Sequence, residues 1–235
     1  MKGWSLPSRC AICRQWPAAP VCDTCIARFA QPRMRCLYCA LPVPEGVPRC
    51  GSCLKNPPPL DRCLCAVDYA WPWRGLVARF KFHEQPGWDK PLAWLMRSAE
   101  LAEDTLHEAD RVLPIPLSRE RLAQRGYNQS WLLARQLAPD KADAGLLLRT
   151  RDTPAQHTLP RDSRLANLQG TLAVDPLRAH EVRGRRLVLV DDVMTTGASL
   201  HTAARALRQA GAAQVCAIVL ARTGQDDDGT DDATG

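Results

Sequence analysis

From Cys63 onward, short apolar runs alternate with stretches of helical period. Cys63 to Tyr69 reads as a strand, and Trp73 to Phe82 and Lys90 to Glu103 as helices, the second with Leu92, Leu95, Met96 and Ala99 on one face. Further apolar runs lie at Arg111 to Ile115, Leu146 to Leu148, Thr171 to Val174, Arg186 to Val190 and Gln214 to Ala221, and helical periods at Ser130 to Leu137 and Ser199 to Ala210. Such alternation predicts an α/β domain with a mainly parallel sheet flanked by helices. Leu187-Val188-Leu189-Val190 is apolar without a break, as expected of a strand covered on both faces, and is placed at the centre of the sheet.

The first 60 residues or so lack any such period and have a Pro/Arg/Cys texture that ends in Asn56-Pro57-Pro58-Pro59, a stiff extended segment. The expected organisation is a small module at 1–58, the α/β domain at 59–224, and an acidic Gly/Asp/Thr tail at 225–235 with too little apolar surface to fold. The chain has 235 residues and 11 cysteines, a count that suggests a secreted disulfide framework until the cysteines are located, because ten of them precede residue 66. No run of 18 apolar residues occurs, and Met1 to Pro7 lacks the basic-then-apolar order of a signal peptide, so a cytoplasmic protein without membrane insertion is expected.

The early cysteines form four CxxC pairs, Cys10/Cys13, Cys22/Cys25, Cys36/Cys39 and Cys50/Cys53, separated by 8, 10 and 10 residues. Two residues between cysteines make a tight knuckle aiming both sulfurs at one ion, and two knuckles complete a tetrahedral thiolate site. Eight such thiols imply two structural zinc ions, and so short a segment with so few apolar residues would draw most of its folding free energy from the metal. Disulfides or redox CxxC motifs fit a reducing compartment and four evenly spaced pairs poorly. The spacing allows either sequential or crossed pairing of the knuckles. Cys63 and Cys65, on alternate strand positions, and Cys216 are expected to be buried strand residues.

The segment from Leu187 to Leu200 reads as strand, acidic pair (Asp191, Asp192), small-residue loop (Thr195, Thr196, Gly197, Ala198, Ser199), then helix. In open parallel sheets, ligands bind beyond the carboxyl ends of the strands. A Thr/Gly/Ser loop at a helix start offers backbone N–H groups, hydroxyls and the helix dipole to a phosphate. The two carboxylates repel a phosphate and suit vicinal hydroxyls or a magnesium ion, so together the segment asks for a phosphorylated sugar. It has neither the Gly-Lys-Thr/Ser of a Walker loop nor GxGxxG.

This run resembles the phosphoribosyl pyrophosphate (PRPP) signature of type I phosphoribosyltransferases. The resemblance implies that Asp191 and Asp192 contact the ribose hydroxyls, that Thr195 through Ser199 hold the 5′-phosphate, and that magnesium accompanies PRPP. Almost the whole chain resembles the ComF family, in which a cysteine-rich zinc module precedes such a domain. The likeness also rests on Leu113-Pro114-Ile115-Pro116 leading to Arg121, on Arg125-Gly126-Tyr127-Asn128-Gln129, on Arg151-x-Thr153-x-x-Gln156-x-x-Leu159 with Arg164 and Asn167, and on Lys81. Lys81, Arg121, Arg125, Arg151, Gln156 and Arg164 are thereby candidates for the pyrophosphate side. Arginine forks suit that group physically, and the polar segment 149–169 reads as a cover over a charged ligand.

The ComF likeness also implies a role in natural competence or the use of incoming DNA, with single-stranded DNA or a helicase-like DNA-processing protein as partner. Arg9, Arg14, Arg28, Arg33, Arg35 and Arg49, interleaved with Trp4, Trp16, Phe29 and Tyr38, would supply phosphate contacts and stacking surfaces. The alternative is a magnesium-dependent phosphoribosyltransferase acting on an unidentified acceptor with no DNA role. Charge alone does not decide between them: the formal +6 falls to about +2 once eight thiolates hold two Zn²⁺.

Overall fold

The computed structural model describes residues 8–82, 85–150 and 171–224. Four parallel strands form the central sheet: β1 (Arg62–Asp68), β2 (Arg111–Pro114), β5 (Arg186–Met194) and β6 (Gln214–Arg222), in the order β1-β6-β5-β2. Leu64 pairs with Ile218, Val188 with Cys216, and Leu113 with Leu189. The apolar strand β5 is therefore central, as its composition predicts. The runs at Leu146–Leu148 and Thr171–Val174 do not join this sheet; β3 (Leu147–Arg149) and β4 (Leu172–Val174) pair antiparallel as a separate two-stranded ribbon. Runs of three residues carry too little periodicity to specify a partner.

Both faces of the sheet are covered. On one face Val188, Val190, Cys216, Ile218 and Leu220 pack with α3 (Trp73–Phe82), α4 (Asp89–Arg97), α5 (Ala102–Glu108) and α7 (Gln129–Leu137). On the other, Leu187, Leu189, Ala217 and Val219 pack with Leu200, Ala203, Ala204 and Leu207 of α8 (Ala198–Gln209). The single helix expected over Lys90 to Glu103 is two, α4 and α5. Ser98 Oγ donates back to the Leu95 carbonyl (2.7 Å), and Leu101 takes a left-handed φ of 64° that no helix continues through. The α6 helix (Arg119–Arg125) was not expected, since its exposed, charged sequence shows no apolar period; Ser118 caps its start by accepting the Arg121 N–H (3.2 Å), and Gly126 ends it at φ 74°.

The cysteine-rich segment carries α1 (Asp23–Phe29) and α2 (Gly51–Lys55) and packs directly on the sheet domain. Cys10, Val21, Cys22 and Cys25 join the core under α3 and α4, where Trp73 Nε1 donates to the Phe29 carbonyl (2.8 Å). Cys36, Cys39, Leu41 and Cys53 join the core of the opposite face. At β1, Cys63 N–H donates to the Leu37 carbonyl (2.7 Å), and at β2 the Val112 N–H donates to the Lys141 carbonyl (2.9 Å). Cys63, Cys65 and Cys216 are buried strand residues, as expected. Among the described residues no helix is long and apolar enough to cross a membrane.

Candidate functional site

Strand β5 runs on past Val190 to Met194, so the acidic pair lies inside the strand's carboxyl end rather than in a following turn. Asp192 is almost fully buried, and its Oδ1 lies 3.0 Å from Lys81 Nζ at the end of α3. Asp191 Oδ1 accepts from Ser130 Oγ (2.9 Å), in the first turn of α7, and from the Asp192 N–H (3.0 Å). Burial, and after it the neighbouring charge of Asp192, push the Asp191 carboxyl up to about 7; Lys81 and the Ser130 hydroxyl work in the opposite direction. A cation and a hydroxyl from two different helices are thus trained on carboxylates at the mouth of the sheet.

Immediately after β5, Thr195 is exposed, Thr196 and Ser199 half-buried, and Gly197 and Ala198 buried. Gly197 has φ 76°, and a Cβ there would lie 2.4 Å from Met194 Cε and 2.9 Å from His201 Nε2, so only glycine fits this turn. The Ala198 N–H is bonded to Thr196 Oγ1 (3.3 Å), and α8 begins there, its first-turn N–H groups pointing out of the loop. His201, behind the turn, is pushed down to about 4, chiefly by burial and further by Arg205 and Arg222, and is neutral at physiological pH. Such a turn could cradle an anion, and the neighbouring carboxylates could accept hydroxyl hydrogens.

The Arg125-Gly126-Tyr127-Asn128-Gln129 stretch builds the neighbouring wall. Gly126 turns the chain out of α6, and Tyr127 Oη ties it to the Phe80 carbonyl of α3 (2.5 Å). Asn128 caps α7 by accepting the Trp131 N–H (3.3 Å) while its Nδ2 donates to the Ile115 carbonyl (3.1 Å). Arg125 stacks 5.0 Å from the Phe82 ring centroid and donates to Gln129 Oε1 (3.1 Å). Burial lowers the Arg125 pKa, and Asp192, Arg121 and Asp191 are all near enough to act on it. Lys81, Arg125, Asp191 and Asp192 are therefore brought together, with Arg121 exposed on the same short helix. Arg151, Gln156 and Arg164 lie outside the described residues. Ser130 escapes sequence reasoning, as it sits unremarkably in a helical period. A cavity of about 390 Å³ opens at the other end of the strands, bordered by Asp61, Glu108 and Arg186, and is remote from this chemistry.

The eight knuckle cysteines gather as Cys10/Cys13/Cys22/Cys25 and Cys36/Cys39/Cys50/Cys53, which selects sequential pairing. All are free thiols, and within each group the sulfurs lie within 4.8 Å of one another. Four sulfurs at ~2.3 Å from a tetrahedral Zn²⁺ stand about 3.8 Å apart. The separations of 3.8 Å (Cys10–Cys25), 3.7 Å (Cys13–Cys22) and 3.6 Å (Cys39–Cys50) match that edge, so each group could hold such an ion. Burial opposes ionisation at Cys10 and Cys36, yet backbone N–H groups outweigh it and bring them to about 6 and about 7; Cys25 and Cys39 are pushed up to about 12 by burial and by their neighbours. A cation in the middle relieves that mutual repulsion.

Of the arginines expected to face a nucleic acid, Arg9, Arg14, Arg28, Arg33 and Arg49 are exposed, whereas Arg35 is half-buried and bonded to Asp68 Oδ1 (2.8 Å), with Arg33 on Oδ2 (2.6 Å). Trp4 lies outside the described residues.

Residues 133–232 match the family model of the phosphoribosyl transferase domain. DNA utilization protein YhgH of Escherichia coli O6:H1 is 34% identical over 229 residues, 93% of this chain and 99% of that one. Competence protein F of Haemophilus influenzae is 32% identical over 80% of this chain and 84% of its own length. Competence protein ComFC of Bacillus subtilis is 35% identical over 120 residues, covering 48% and 44%.

Proposed function

Since the chain belongs to the family of DNA utilization protein YhgH and competence protein F, we propose that it serves the uptake or use of incoming DNA with a domain that binds PRPP and magnesium. The observation that carries the ligand reading is the convergence of Lys81 and Ser130 on Asp192 and Asp191 beside the Gly197 turn. In this reading the two carboxylates accept the ribose hydroxyls. The Thr195–Ser199 loop donates to the 5′-phosphate, and Lys81, Arg121 and Arg125 face the pyrophosphate, with Arg151, Gln156 and Arg164 as further candidates. Magnesium, when bound with PRPP, neutralises part of the pyrophosphate charge. The chain's own residues position the ribose and stabilise charge around it.

Zinc fills both four-cysteine groups in this proposal and fastens them as structural sites, in keeping with their free thiols and mutual spacing. The DNA-facing surface is the exposed side of the cysteine-rich segment. There Arg28 lies 5.3 Å from the Phe29 ring centroid, Phe29 meets Trp71 edge-on at 4.9 Å, and Trp71 and Arg33 are exposed. Cations beside an open aromatic face suit the phosphates and bases of a single strand.

Calorimetric titration with PRPP and magnesium, with and without a single-stranded oligonucleotide, tests both halves. One PRPP per chain is expected, lost in Asp192→Asn. Oligonucleotide binding is expected to survive that substitution, to weaken with salt, and to fall in Arg28→Ala/Arg33→Ala. Absence of heat with PRPP would sink the ligand reading, and absence of oligonucleotide binding at low salt would sink the DNA surface. Pyrophosphate release with a panel of bases, amines and nucleic acids asks separately whether ribosyl transfer occurs.

A further inference from the structure

Arg222, the last residue of β6, is a cation only 3% exposed. Its Nε donates to the Cys39 carbonyl (2.8 Å), and its Nη1 to the carbonyls of Met194 (2.9 Å) and Thr223 (2.8 Å). Cys39 belongs to the second four-cysteine group, and Met194 is the residue before Thr195. A guanidinium is planar and its N–H directions are fixed relative to one another, so a carbonyl that turns at one side of the fork disturbs the bond at the other. Met194 also lies under the turn, its Cε where a Gly197 Cβ would fall, and its sulfur is 3.6 Å from Cys63 Sγ. The Cys63 N–H is in turn bonded to the Leu37 carbonyl, between Cys36 and Cys39.

We propose that Arg222 is a positioning residue that couples metal occupancy of Cys36/Cys39/Cys50/Cys53 to the pose of the Thr195–Ser199 loop. Metal–sulfur bonds fix the knuckle and with it the Cys39 carbonyl; the Arg222 fork carries that constraint to the Met194 carbonyl, which starts the loop. Coupling of this kind is reciprocal: a phosphate ester seated in the loop holds the metal more firmly at the knuckle, as the metal holds the loop. The first four-cysteine group packs on the other face, under α3 and α4, and serves as an internal control. The inference rests on the loop being a phosphate site.

The test uses the full-length zinc protein and measures the zinc lost at equilibrium to graded concentrations of a colorimetric chelator, with and without saturating ribose 5-phosphate, whose binding to the same sample is followed by calorimetry. One of two zinc equivalents is expected to be held at least about fivefold more tightly with the sugar phosphate, the other with unchanged affinity. Arg222→Met and Arg222→Lys, the latter keeping the charge without the fork, are expected to abolish the difference. Should both equivalents be held with unchanged affinity while calorimetry shows ribose 5-phosphate bound, the coupling is wrong and the loop reading stands. Failure of ribose 5-phosphate to bind overturns both. The wild-type comparison decides the matter even if the variants fold poorly, and a ligand effect that persists in a folded Arg222→Met protein removes Arg222 from it.

Discussion

Replacing Asp191 by Asn is expected to make the protein more stable while weakening its hold on sugar phosphates. The carboxyl titrates near 7 in the folded chain, from an ordinary value of 3.8, because burial and the adjacent Asp192 disfavour its charge. The folded protein therefore keeps a proton that the unfolded chain releases between about pH 4 and pH 7. The associated stability is fully present below pH 4 and lost as pH rises through 7. At 1.36 kcal/mol per pH unit the whole difference is worth about 4 kcal/mol, an upper bound for a half-buried group beside Lys81, and about 2 kcal/mol is a reasonable expectation. Asn cannot ionise, and its Oδ1 accepts the Ser130 hydroxyl and the Asp192 N–H as the carboxylate does. Thermal melts from pH 4 to pH 8, in zinc-replete buffer without magnesium or PRPP, should show variant and wild type converging near pH 4. Above pH 7 the variant should melt about 4 to 8 °C higher, given the chain's length. A Tm difference that does not grow with pH, or that favours the wild type at pH 8, would refute the electrostatic account.

Ser130→Ala removes a donor that favours the Asp191 carboxylate, so the pH midpoint for ribose 5-phosphate binding should move above that of the wild type in calorimetric titrations. Gly197→Ala forces a Cβ into Met194 and His201 at a left-handed φ; a loss of about 1–3 kcal/mol in denaturant melts and at least about tenfold weaker PRPP binding are expected. Lys81→Met leaves the buried Asp192 carboxylate without its ion pair and should cost about 3 kcal/mol in denaturant melts, which Lys81→Arg should largely avoid. Stripping zinc with a strong chelator should release two equivalents by elemental analysis and raise hydrogen exchange across residues 8–55, with Cys39→Ser losing one equivalent.

Much of this was legible in the sequence because it is local. The apolar run of β5, the small-residue loop and the helix after it are contiguous, and knuckle spacing states the metal chemistry without any fold. Sequential pairing needed the fold, since the thiols are chemically equivalent along the chain. Lys81 entered through family likeness, and the structure supplies its physical reason, an ion pair across the sheet's mouth. Ser130 and Arg222 carried no signal: one is a hydroxyl in a helical period, the other a charge closing an apolar strand, and each owes its role to partners far off in sequence. The α6 helix stayed hidden because Leu122, its one large apolar residue, is exposed. Its cap at Ser118 and the glycine that ends it, Gly126, were the local signs.

The strand order β1-β6-β5-β2 also sets a timetable for synthesis. Strand β1 pairs with β6, so Arg62 waits for Cys216, and both four-cysteine groups lean on faces whose strands include the last one made. Pairings of such long sequence separation close slowly. The cysteine-rich segment is made before the sheet it packs on, and its sheet-facing side stays uncovered until residues 214–222 arrive. Early metal capture at the proposed sites would then hold this segment together before β6 is made.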